Sequence, residues 1–178
     1  MPEASKPNTT APVPRATAHP LKALLLRVGT IDRIALSEVL TVHPTQTADA
    51  ARQALAEFPA DVVVADVGSS DREARALLAY LRDPAATPNR GVPVICLLAE
   101  SSPERVRGLV KAGVDHVMIK PISVASLRDL AQNLCDNPMP QITVPKYVGP
   151  DRRRLPLDSY TGPGRRTGEP TREPTGNQ

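Results

Sequence analysis

Between Leu21 and about Leu134, apolar residues follow two alternating patterns, and outside that window they follow neither. Short apolar runs recur at Ala23–Val28, Leu40–Val42, Asp61–Asp66, Val92–Leu98 and His116–Ile119. Runs of this length with no polar face suit parallel strands covered on both sides. Helical spacing fills the gaps. Residues 31–39 place Ile31, Ile34, Ala35 and Val39 on one face, residues 47–56 are Ala-rich, and residues 72–81 align Ala74, Leu77, Leu78 and Leu81. A fourth helix is expected from Ser102-Pro103 to Ala112-Gly113. Ser102 would cap it, Pro103 would occupy its first turn, and Gly113 suits a left-handed end. A fifth covers 124–134. Five strand–helix units predict one α/β domain over 21–136. The expected fold is flavodoxin-like and doubly wound, a five-stranded parallel sheet of order 2-1-3-4-5.

The flanks differ. Residues 1–20 are rich in Pro, Ala and Thr and are expected to form a disordered arm. Residues 137–178 are broken by prolines and arginines and are expected to form a disordered tail, having too little apolar surface to fold alone. That tail carries a near repeat. Tyr147-Val148-Gly149-Pro150-Asp151-Arg152-Arg153 returns thirteen residues later as Tyr160-Thr161-Gly162-Pro163-Gly164-Arg165-Arg166. Each copy joins an aromatic, a Gly-Pro turn and two arginines, the composition of a short recognition motif. Two copies on one tail could act with avidity.

Charge follows the same division. The net charge of +3 resides in the tail, since residues 144–178 carry +3 and residues 21–143 about −1. The body therefore has no nucleic-acid-binding character, and only the tail offers that weaker alternative. The four aromatics, Phe58, Tyr80, Tyr147 and Tyr160, leave the core to aliphatic side chains. With no apolar run long enough for a membrane and no signal-peptide pattern, a cytoplasmic location is expected. Cys96 and Cys135 lack metal or redox spacing, and Cys96, inside an apolar run, reads as a small buried hydrophobe.

Chemistry concentrates at two strand ends. Asp66 closes the third apolar run and Lys120 the fifth, where open α/β sheets place their reactive groups. With Lys120-Pro121 and the turn Ala112-Gly113-Val114-Asp115, this pair resembles the receiver domains of bacterial response regulators over Leu21–Leu134. The resemblance implies a phospho-acceptor at Asp66, a phosphoryl-site lysine at Lys120 and a cis Lys120-Pro121 bond. It further implies Mg²⁺ held by the acceptor, by an acidic pair after the first strand and by the carbonyl two residues past the acceptor, here Gly68. The acidic positions, however, hold Arg27 and Val28. The switch positions, a hydroxyl residue and an aromatic in the family, hold Leu98 and Val117.

Two readings of Asp66 follow. In one it still accepts a phosphoryl group, with Arg27 and Lys120 supplying the charge of the metal. In the preferred one it is a carboxylate held by Lys120, with help from Arg27, in a pseudo-receiver that needs no Mg²⁺ or other cofactor and has no enzymatic activity. Such a protein would signal as a receiver without an output domain, by contact with a histidine kinase, a phosphotransfer protein or another regulator. The face of the fourth helix, fifth strand and fifth helix, with Arg105, Arg107, Lys111 and Arg128, would carry that contact.

Overall fold

The computed structural model describes residues 20–87, 91–100, 102–144 and 147–152. Five strands, β1 (Lys22–Leu26), β2 (Thr41–Thr45), β3 (Val62–Asp66), β4 (Val94–Leu98) and β5 (His116–Ile119), form one parallel sheet in the order β2-β1-β3-β4-β5. The connecting helices are α1 (Thr30–Ser37), α2 (Ala48–Glu57), α3 (Arg72–Arg82), α4 (Pro103–Lys111) and α5 (Val124–Asp136). The expected flavodoxin-like fold is therefore observed.

Strand side chains alternate between two cores, as the period of two requires. Leu24, Leu26, Val63, Ala65, Val94, Cys96 and Leu98 pack on one face with Leu77, Leu78 and Leu81 of α3 and Leu109 of α4. Ala23, Leu25, Val62, Val64, Ile95 and Leu97 pack on the other with Leu36 of α1 and Leu127, Ala131 and Leu134 of α5. Pro44, which cannot donate to a ladder, sits in the edge strand β2. Cys96 is fully buried, and burial pushes its thiol up to about 12. It should stay unlabelled by a thiol reagent at pH 8 in the native protein and react on denaturation, as peptide mapping after labelling would show.

Two expectations are corrected. First, Ile31 and Ile34 are exposed, at 84% and 58%. Helix α1 instead turns Leu36 to the core, and Asp32 lies one turn earlier on that side. Second, the domain continues past residue 136. Strands β6 (Gln141–Val144) and β7 (Tyr147–Pro150) pair antiparallel, with Ile142 opposite Gly149 and Val144 opposite Tyr147. The hairpin is held because it packs on the turn before β5. A Cβ on Gly149 (φ +156°) would come within 2.9 Å of the Gly113 Cα, so the two backbones touch. The arm 1–19 and the tail beyond Arg152, including Arg153 and the second repeat copy, lie outside the described residues.

Beneath that contact lies a buried ion pair. Arg82 Nη2 donates to Asp115 Oδ2 at 2.5 Å, with both side chains under 5% exposed. Arg82 also donates to the carbonyls of Gly113 and Val92, and the Val94 N–H donates to Asp115 Oδ2 at 2.6 Å. Burial pushes the Asp115 carboxyl up, and the Arg82 guanidinium opposes it. The arrangement satisfies the charges that burial would otherwise penalise.

Candidate functional site at the ends of β1, β3 and β5

The strand order reverses between β1 and β3, and the C-terminal ends there open the crevice where such sheets carry their sites. Asp66, the last residue of β3, is mostly covered, with 15% of its side chain exposed. Its Oδ1 accepts from the Gly68 N–H at 3.0 Å, and its Oδ2 accepts from Lys120 Nζ at 2.5 Å. The structure thus brings together the two residues singled out from the sequence. The Lys120-Pro121 peptide is cis, as the resemblance implied.

A third residue was not foreseen. Asp32, in the first turn of α1, accepts from the same Lys120 Nζ at 2.8 Å. The ammonium lies between two carboxylates. Partial burial pulls it down, but the hydrogen bonds to Asp32 and Asp66 outweigh this and hold it above the usual lysine value. The available signal was the stripe Leu36–Leu40, which places Asp32 one turn before Leu36 on the inward side.

Arg27 does not join them. Its backbone is left-handed (φ +58°), its N–H donates to the Thr45 carbonyl at 2.8 Å, and its side chain is exposed. Among the described residues it forms no ion pair, so the expected help from Arg27 is corrected. A non-glycine residue in this conformation is strained by about 1 kcal/mol. Val28 turns inward and is buried in the α1–α5 core.

The remaining sequence candidates fall into place around the pair. Leu98 is fully buried and Val117 packs on the same core, so neither offers a polar group to the crevice. The Gly68 carbonyl accepts from Arg105 Nη2 at 2.6 Å. Arg105 was expected on an open contact face and instead reaches from α4 to the loop after β3. Arg107, Lys111 and Arg128 are exposed, and Arg128 pairs with Asp129. Of the tail residues, Tyr147 and Arg152 lie at the opposite end of the sheet, against the turn before β5.

A five-stranded doubly wound sheet of order 2-1-3-4-5, here with an acid at the end of β3 and a lysine after β5, is the fold of receiver domains. Solved structures agree. The receiver domain of a signal-transduction histidine kinase from Syntrophus aciditrophicus is similar at TM-score 0.54 and 21% identity, over 65% of this chain and 89% of that one. A chemotaxis response regulator of Vibrio cholerae matches at 0.54 and 18%, over 64% and 98%. The receiver domain of a sensor histidine kinase from Pseudomonas aeruginosa matches at 0.55 and 19%, over 65% and 97%, and that structure holds a magnesium ion coordinated in its active-site cleft. No family model and no curated protein matches the sequence. At these identities the likeness carries the fold, which is the receiver fold.

Proposed function

We propose that this chain is a receiver-like signalling module that works by protein–protein contact, with a phosphorylation site locked by internal ion pairs. The observation that carries the reading is that protein cations sit on two of the oxygens a metal would use. Lys120 Nζ sits on Asp66 Oδ2, and Arg105 sits on the Gly68 carbonyl. The two positions after β1 contribute an outward arginine and a buried valine. Mg²⁺ needs near-octahedral oxygen ligation. The crevice's two carboxylates, Asp32 and Asp66, are both engaged by Lys120, so these residues do not fit it.

Phosphoryl transfer without that charge loses its main electrostatic stabilisation. The ionic triad Asp32–Lys120–Asp66 holds the crevice in one arrangement, so the surface offered to a kinase, phosphotransfer protein or other regulator does not depend on phosphorylation. The test is an amide NMR titration of the protein with Mg²⁺ and beryllofluoride, a phosphoryl mimic. The expected result is no shift at Asp66, Gly68 or Lys120 at millimolar Mg²⁺. Saturable shifts there, absent in Asp66→Ala, would establish instead a working phospho-acceptor.

A further inference from the structure

The first copy of the repeated tail motif packs against the turn before β5, and four of the five positions the copies share, Tyr147, Gly149, Pro150 and Arg152, lie among the described residues there. The Tyr147 hydroxyl donates to the Pro150 carbonyl at 3.0 Å and closes the turn. Gly149 lets the hairpin backbone lie against Gly113, where a Cβ on Gly113 would come within 2.8 Å of the Val148 carbonyl oxygen. Pro150 is buried. Arg152 donates through Nη2 to the Val114 and Asp115 carbonyls, beside the buried Arg82–Asp115 pair.

The second copy carries the same residue types at those four positions: Tyr160, Gly162, Pro163 and Arg165. It differs by Thr161 for Val148 and Gly164 for Asp151. It begins thirteen residues after the first, and thirteen extended residues span roughly 45 Å. Slack in the chain therefore does not prevent it from reaching the same surface once the first copy leaves. Tethering gives it an effective concentration in the millimolar range.

We propose that the surface formed by Gly113, Val114 and Asp115 is a docking site for the Y-x-G-P-x-R-R segment, and that Tyr160–Arg166 of the same chain is its alternative occupant. The tail then keeps one copy docked while the other is presented. Release of Tyr147–Arg153 to a partner would leave the Arg82–Asp115 end of the sheet covered.

The experiment uses the full chain and three variants: Gly149→Val, Gly162→Val, and both together. A side chain at 149 has no room against Gly113, so the single variant ejects the first copy. Amide signals of Gly113, Val114 and Asp115 report the surface, and sedimentation reports the mass. The expected result is that Gly149→Val keeps these signals near their wild-type positions in a monomer, Gly162→Val leaves them unchanged, and the double variant loses them. Tyr147→Ala/Arg152→Ala repeats the test through different contacts, should Gly149→Val not fold. The proposal is overturned if either single-copy disruption shifts the signals as far as the double variant, or if the surface refills only in a dimer.

Discussion

Asp115→Ala is expected to lower folding stability by about 3–5 kcal/mol. The substitution leaves the Arg82 guanidinium, 3% exposed, without its counter-charge. It also removes the acceptor of the Val94 N–H at the start of β4. A buried charge stripped of its partner is costlier than the pair is favourable, because the desolvation penalty stays while the attraction is lost. Replacing both, as Arg82→Met/Asp115→Leu, should therefore cost markedly less than Asp115→Ala alone. Urea midpoints at constant m-value measure both. Equal losses in the single and double variants would show that packing, not the charge, makes the site sensitive.

Lys120→Met carries the second large effect, about 1–3 kcal/mol at neutral pH. Two carboxylates, Asp32 and Asp66, lose the one ammonium they share and are left facing each other. The pH dependence has a definite sign. Lys120 is held above its ordinary value in the folded protein, so its contribution is fully present below the unfolded lysine value of about 10.4 and is lost as pH rises through the folded one. Wild type and Lys120→Met should thus differ across neutral pH and converge in strong alkali. Paired thermal melts from pH 7 upward check this. Curves that stay parallel into alkali would mean that the stem of Lys120, and not its charge, supports the crevice.

Much of the fold was legible because its strands are uninterrupted apolar runs, and β3 and β4 could be read almost residue by residue. Asp66 and Lys120 were legible because a charged residue closing such a run is conspicuous. The contacts that define the site were less so. On α1, Ile31 and Ile34 gave the stronger apolar pattern, yet the core takes Leu36, and this brings Asp32 inward. Arg105 and Gly68 are 37 residues apart, and no local pattern links a guanidinium to a distant carbonyl. Arg82 follows Leu78 by one turn and so lies on the buried side of α3, but a charge there has meaning only once Asp115 is seen opposite it. The β6–β7 hairpin was hidden by the prolines around it, since its alternation at Ile142, Val144 and Val148 is too short to stand out.

The central claim, a receiver fold whose acid is held by lysine and not offered to a phosphoryl group, is tested most directly by intact-mass spectrometry after incubation with acetyl phosphate and Mg²⁺. An unchanged mass is expected for both wild type and Asp66→Ala. A single added phosphoryl group on wild type, absent from Asp66→Ala, would contradict it.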